Sequence, residues 1–312
     1  MKGKNWITID GYSREELLSI LDRCSFLKKE LFEGGERKSL KGKTIAMIFE
    51  KASTRTRVSF QVGIAQLGGQ SLFLANHELQ LSRGEPIKDT ARVLSRYVDA
   101  VVIRGNSHQD LVEFARWSSV PVINALTDKY HPSQIIADLF TVRESGFDLA
   151  SFKPAWIGDG NNVAHSWINA AAVFGFKLVL ACPAGYDPDA EVLERARAKG
   201  AEVELVRDPF SAVRDADIIY TDVWASMGQE AEKKKRLSDF KGFQVNMELI
   251  KAASAGVKLM HCLPAHRGEE ITDEAMESEH SIVFDQAENR LHVQKAIIEM
   301  LLGGERTPDD GP

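Results

Sequence analysis

The sequence predicts an α/β protein of two domains, each a parallel sheet flanked by helices. Three observations carry this. The 312 residues are about twice the roughly 150 that a typical domain holds. Short apolar runs of strand length alternate with amphipathic segments of helical period, the pattern of βαβ units around a parallel sheet. The same rhythm then starts afresh in the second half, after a polar, glycine-containing connection at residues 145–153.

In the first half the strand candidates are Thr44 to Phe49 (TIAMIF), Ala100 to Ile103 (AVVI) and Pro121 to Leu126 (PVINAL). Helical patterns cover Arg57 to Leu67 and Gln134 to Glu144. In the second half strands are expected at Ala155 to Ile157, Leu178 to Ala181, Glu202 to Val206, Asp217 to Tyr220 and Lys258 to Met260. Asp189 to Lys199 is the plainest helix there: Val192, Leu193 and Ala196 share a face, and Gly200 supplies the stop. A last helical stretch, Arg290 to Leu302, has Ala296, Ile297, Met300 and Leu301 at helical spacing; GGERTPDDGP beyond it reads as a frayed tail.

Composition narrows the function classes. With 44% hydrophobic and 27% charged residues the chain has the make-up of a globular protein able to bury large cores. Its net charge of -6 argues against a main task of neutralising nucleic-acid phosphates. The basic run Lys233-Lys234-Lys235-Arg236 follows Glu230 and Glu232 and reads as a solvated helical face. A small anionic ligand needs only a local positive pocket, for which Arg55, Arg57 and Arg104 are the candidates. Cys24, Cys182 and Cys262 form no CxxC pair and have no histidine partners at metal-ligand spacing, so neither a disulfide framework nor a structural zinc site is expected. The N-terminal segment has no apolar signal core and no stretch has membrane-span length, which makes the cytoplasm the expected location and a membrane partner unexpected.

The densest chemical signal is the strand TIAMIFE followed by Lys51-Ala52-Ser53-Thr54-Arg55-Thr56-Arg57 and a helical pattern. The first N–H groups of a helix lack intrahelical partners and sit at the positive end of its dipole. Hydroxyls and guanidiniums in that turn add donors suited to phosphate oxygens. The plain alternative is a helix cap, with Ser53 or Thr54 turned onto the backbone and the arginines solvated. Arg104 follows AVVI, and His131 with Gln134 follows PVINAL, again just past strand carboxyl ends, where open α/β sheets bind ligands. The second half repeats this placement with Gly158-Asp159-Gly160-Asn161-Asn162, with Asp222-Val223-Trp224-Ala225-Ser226-Met227-Gly228 and with His261-Cys262-Leu263-Pro264. The first of these lacks the third glycine of a dinucleotide fingerprint and reads as a tight turn, so nicotinamide binding is disfavoured. Singly, Asp222 could be a loop carboxylate and Cys262 a packing residue; a shared strand-end position favours one convergent site.

In family order, STRTR at 53–57, HPSQ at 131–134, DVWASMG at 222–228, HCLP at 261–264 and ENR at 288–290 resemble the aspartate/ornithine carbamoyltransferase family, over nearly the whole chain. The first two motifs are shared across the family and imply carbamoyl phosphate as donor; the SMG loop and HCLP lean towards ornithine as acceptor. The resemblance implies a carbamoyl phosphate-binding domain at residues 1–147, rejoined by a C-terminal helix at 288–312, and an ornithine-binding domain at 148–287. It gives Ser53, Thr54, Arg55 and Thr56 to the phosphate, Arg104, His131, Gln134 and Arg290 to the carbamoyl end, and Cys262 with Leu263 to the reacting centre. Gln80 would reach the neighbouring subunit's site, implying a homotrimer or a multiple of trimers. Asn162, Asp222, Ser226 and Met227 fall at acceptor-binding positions, and Arg104, His131, Asp222 and Cys262 at catalytic ones. No metal or cofactor is implied. Two alternatives stay open: a carbamoyltransferase with another amine acceptor, such as putrescine or a modified ornithine, and a non-catalytic binding subunit of the same fold.

Overall fold

The computed structural model describes residues 1–225 and 232–303; the Ser226-Met227-Gly228 segment and the tail lie outside the described residues. The chain divides into two compact units, Met1–Ile136 with Arg290–Pro312, and Ala137–Asn289. Each is built on its own parallel sheet, as expected.

The first unit opens with α1 (Arg14–Phe32), started by a reciprocal capping box between Ser13 and Glu16. Then follow β1 (Thr44–Phe49), α2 (Thr54–Gln66), β2 (Gln70–Ala75), α3 (Ile87–Leu94), β3 (Ala100–Arg104), α4 (His108–Trp117), β4 (Val122–Leu126) and the first turn of α5 (Pro132–Glu144). The sheet order is β2-β1-β3-β4, all parallel. Ala46, Ile48, Val101, Ile103, Leu111, Phe114 and Val122 form its buried core between sheet and helices.

Two departures from expectation have local causes. β2 was not foreseen: QSLFLA occupies the sheet edge, where none of its six residues is fully buried, and its apolar part Leu72 to Ala75 follows the polar Gln70 and Ser71. α2 begins three residues earlier than Arg57, because Ser53 is still extended (φ -156°, ψ 107°) and the helix opens on the hydroxyl-rich turn itself.

The second unit continues α5 and adds β5 (Pro154–Ile157), α6 (Asn162–Phe174), β6 (Leu178–Ala181), α7 (Ala190–Ala198), β7 (Val203–Val206), α8 (Pro209–Val213), β8 (Ile218–Thr221), α9 (Lys233–Asp239), α10 (Met247–Lys251), β9 (Lys258–His261), α11 (Asp273–Met276) and the start of α12 (Val283–Leu302). Its sheet runs β7-β6-β5-β8-β9, again all parallel. On the sheet Trp156 stacks on Tyr220 (5.2 Å between centroids, 16° between planes), and Trp167 meets Tyr220 edge-on. Among the described residues no helix is long and apolar enough to cross a membrane.

The C-terminal helix starts seven residues before the expected Arg290 and returns to the first unit. Two features hold it there. Gly63 of α2 faces it so closely that an added Cβ would lie 3.1 Å from Lys295 Cγ and 3.4 Å from Leu291 Cδ1. Glu299, fully buried, accepts from Arg23 Nε (2.5 Å) and Arg37 Nε (2.7 Å). Burial alone would raise the Glu299 carboxyl pKa, but the bonds and charges of Arg23 and Arg37 outweigh it and the pKa falls below the usual value.

Candidate active site

In an open parallel sheet the ligand crevice opens where strand order reverses, outside the carboxyl ends of the two strands flanking that point. In the first unit these strands are β1 and β3. β1 delivers Ser53 to Thr56 at the start of α2, and β3 ends on Arg104.

Thr56 is the centre of this group. Its side chain is 1% exposed, and its Oγ1 accepts from Arg104 Nη1 (3.1 Å) and from Arg290 Nη2 on α12 (2.7 Å). One hydroxyl thus aligns two buried guanidiniums. His131, at the end of the β4–α5 connection, is buried beside them. Its imidazole pKa is driven well below the ordinary value, first by burial and then by the positive charge of Arg290 and Arg104. The ring is therefore neutral at physiological pH and cannot add a third positive charge. Gln134, fully buried, lies on the first turn of α5, whose N1 residue is Pro132.

The capping alternative for Ser53 does not hold: its side chain makes no hydrogen bond to the α2 backbone, so the hydroxyl is not spent on the helix. Arg55 is half-buried, and its Nε is buried with no hydrogen-bond partner among the described residues. Arg57 is employed otherwise. Its guanidinium lies 3.6 Å above the Phe73 ring and its Nε donates to Gln61 (3.2 Å), so it braces α2 against β2. Gln80 stands exposed on the short turn Gln80–Arg83, outside the hydrogen bonds that join Thr56, Arg104 and Arg290.

In the second unit strand order reverses between β5 and β8. The turn after β5 contains Gly160, where a Cβ would fall 2.2 Å from Pro188 N; the glycine serves a close backbone approach. Asn161 then caps α6, its Oδ1 accepting from the N–H groups of Val163 (2.9 Å) and Ala164 (3.2 Å). Its Nδ2 donates to Asp222 Oδ2 (2.7 Å) at the end of β8. The other Asp222 oxygen accepts from the Cys262 thiol (2.9 Å) and from the N–H of Val223 (2.8 Å). Asp222 and Cys262 are thus brought together with Asn161, while Asn162, also half-buried, occupies the first helical position beside them. Ser226 and Met227 lie outside the described residues.

The strand-end turn bearing Cys262 is held from behind. His261 Nδ1 accepts the Leu263 N–H (2.8 Å), which places the ring proton on Nε2, facing Glu270 Oε1 at 3.2 Å. The His261 N–H donates to Gln286 Oε1 (2.9 Å), and Gln286 Nε2 in turn donates to Asp138 (2.7 Å) and the Tyr220 hydroxyl (3.0 Å). Leu263 has φ 56°, the left-handed region unfavourable for a branched side chain, so these bonds fix a backbone that local preference would not. Asp222, His261 and Cys262 also bring one ligand-type atom each within 4.8 Å of one another, but the thiol is engaged with Asp222 and the imidazole Nδ1 with the Leu263 N–H.

Residue-by-residue reading missed four participants. Asn161 stood inside a recognised strand-end group but was passed over for its neighbour. Gln286 and Glu270 carry no local signal, and that of Arg236 points to solvent. Arg236, expected on a solvated face with Lys233 to Lys235, is 8% exposed on its side chain and donates to Asp159 Oδ2 (2.9 Å) and Trp224 O (2.8 Å). Burial pushes the Asp159 carboxyl up to about 6, even against the Arg236 charge.

Two family profiles divide the chain between them. The carbamoyl-P binding domain of aspartate/ornithine carbamoyltransferase matches residues 4–144, and the Asp/Orn binding domain matches residues 150–301. The chain is 55% identical over 299 residues to an ornithine carbamoyltransferase of Syntrophotalea carbinolica, spanning 96% of this chain and 99% of the relative. It is 56% identical over 302 residues to one of Archaeoglobus fulgidus, spanning 97% and 98%. Among solved structures it is similar to the ornithine carbamoyltransferase of Pyrococcus furiosus, with a TM-score of 0.93 at 49% identity over 98% of this chain and 99% of the other. The anabolic enzyme of Campylobacter jejuni gives 0.91 at 44% identity, covering 98% and 100%.

Proposed function

This chain belongs to the aspartate/ornithine carbamoyltransferase family, and from that premise we propose that it transfers the carbamoyl group of carbamoyl phosphate to the δ-amine of L-ornithine, giving L-citrulline and phosphate. The observation that carries the donor half is the Thr56 hydroxyl accepting from both Arg104 and Arg290 beside the N-terminus of α2. Ser53, Thr54, Arg55 and the first N–H groups of α2 hold the phosphate and receive its charge as it leaves. Arg104 and the neutral His131 polarise the carbonyl oxygen, where negative charge grows first, in the manner of an oxyanion hole. Gln134, Arg290 and Leu263 complete the carbamoyl pocket, and Gln80 enters from a neighbouring subunit of a homotrimer.

The acceptor half rests on Asp222. An alkyl amine has a solution pKa of about 10.4, so the δ-amine must shed a proton before it attacks. Asp222, with Asn162, holds the α-ammonium, and Asn161 and the Cys262 thiol aim the Asp222 carboxylate. Cys262 lies beside the δ-amine and helps to place it; the carbonyl is attacked directly, without a covalent enzyme intermediate. Ser226 and Met227 belong to the same acceptor pocket. The carbamoyl phosphate-binding part is residues 1–147 with 288–312, and the ornithine-binding part residues 148–287. The setting is arginine biosynthesis in the cytoplasm.

Phosphate release from carbamoyl phosphate, with the carbamoylated product identified, measured with ornithine, putrescine, acetylornithine and aspartate offered in parallel, tests this reading. Ornithine is expected to be the preferred acceptor by at least about a hundredfold, since the others lack a free α-amino acid head or the δ-amine. Asp222→Ala should raise the ornithine KM far more than that of carbamoyl phosphate. Equal use of putrescine, or an unchanged ornithine KM in the variant, refutes the acceptor assignment.

A further inference from the structure

On the turn leading away from Pro264, a second group of ligand-type side chains converges. His266 Nδ1 stands 3.7 Å from Glu269 Oε2 and 3.8 Å from Glu270 Oε2, and one ligand-type atom of each of the three residues lies within 4.8 Å of the others. The buried member matters most. Glu270 is 0% exposed; its Oε1 already takes the His261 Nε2 proton and the His266 N–H (2.5 Å), whereas its Oε2 is buried and accepts no hydrogen bond from any described residue. An interior carboxylate oxygen without a donor is costly, and native structures pair nearly all such atoms. His266 Nδ1 is too distant to serve as that donor.

We propose that His266 Nδ1, Glu269 Oε2 and Glu270 Oε2 bind a divalent transition-metal cation of the zinc class. Bonds of about 2.1 Å to nitrogen and oxygen give tetrahedral ligand separations of roughly 3.4 Å, so the measured 3.7 and 3.8 Å close by a few tenths of an ångström on binding. An imidazole in the set favours zinc, cobalt or nickel over magnesium or calcium, which take oxygen-only ligands. The His266 and Glu269 side chains are 43% and 24% exposed, so an ion reaches the site without opening the core and keeps a coordination position for water. Lys233 Nζ, 2.7 Å from Glu269 Oε1, ties down the other oxygen of that carboxylate. That contact orients Oε2 towards His266 and, through like charge, weakens the affinity for a cation. Glu270 makes the site more than a surface chelate: its opposite oxygen holds His261, the residue preceding Cys262.

The test is titration of the chelator-stripped, full-length enzyme with Co2+ and with Zn2+, followed by calorimetry and absorption. Cobalt at this site should give visible ligand-field bands without the near-ultraviolet thiolate band that a Cys262 ligand would produce. His266→Ala and Glu269→Gln, both on partly exposed side chains, should each weaken binding by at least about tenfold, Lys233→Met should tighten it, and Cys262→Ser should leave it unchanged. Circular dichroism checks that each variant keeps the fold. No uptake of either ion, unaltered affinity in both the His266 and Glu269 variants, or binding abolished by Cys262→Ser would overturn the assignment.

Discussion

Thr56 has a role that its residue type does not advertise. A threonine in a phosphate-binding turn suggests a donor, yet here the hydroxyl oxygen is the acceptor on which two guanidiniums converge. Thr56→Val keeps the shape and removes that acceptor. Hydrogen bonds to charged groups contribute about 1.5–3 kcal/mol, so kcat/KM for carbamoyl phosphate should fall roughly ten- to a hundredfold, with thermal stability changed far less. Steady-state kinetics check this; a change below about threefold would show that Arg104 and Arg290 are positioned without it. At this scale the sequence was legible wherever residue type alone suffices: STRTR, Arg104, His131, Asp222 and Cys262 all stand at strand ends next to the reversal points or the elements beside them. It was illegible wherever a role depends on a partner far along the chain. Thr56 and Arg290 are separated by 234 positions, and Asn161 and Asp222 by 61.

The strands with continuous apolar runs were readable as elements, because burial on both faces of a parallel sheet imposes such runs. The edge strand β2 and the first two turns of α12 were not. In α12 the side chains of Gln286, Asn289, His292, Gln294 and Glu299 are buried, so polar residues occupy the inward face and erase the apolar period. The basic run at α9 misled for the converse reason: Lys235 is solvated and pairs with Asp239, while Arg236, one position on, turns inward. The Arg236 ion pair ties α9 to the turn after β5. Asp159→Ala leaves the buried Arg236 guanidinium with the exposed Glu232 carboxylate (3.2 Å) as its remaining counter-charge and should destabilise the protein by about 1–3 kcal/mol, whereas Asp159→Asn retains an acceptor and should cost clearly less. Urea unfolding of both variants measures the difference, and equal losses would mean that the acceptor retained by asparagine contributes nothing to holding Arg236.

For the whole molecule, the proposed trimer makes a quantitative demand. If Gln80 completes a neighbour's site, Gln80→Ala and Arg55→Ala chains should each be nearly inactive alone. Dissociated, mixed in equal amounts and reassembled, they should regain about a quarter of the native sites, the fraction in which an intact Arg55 meets an intact Gln80 across a subunit boundary. No recovery after mixing, with reassembly verified by sedimentation, would confine each site to one chain.

The discontinuity of the first unit also sets an order of events. Its sheet is encoded before residue 137, but α12, whose Glu299 pairs with Arg23 and Arg37 and whose Leu301 carbonyl accepts the Gly3 N–H (2.9 Å), is completed only after the whole second unit has been translated. Domains ordinarily mature in the order in which they leave the ribosome. In this polypeptide the later-encoded unit has all its residues first, and the nascent N-terminal sheet must wait for α12 to bring the Glu299 carboxylate to Arg23 and Arg37.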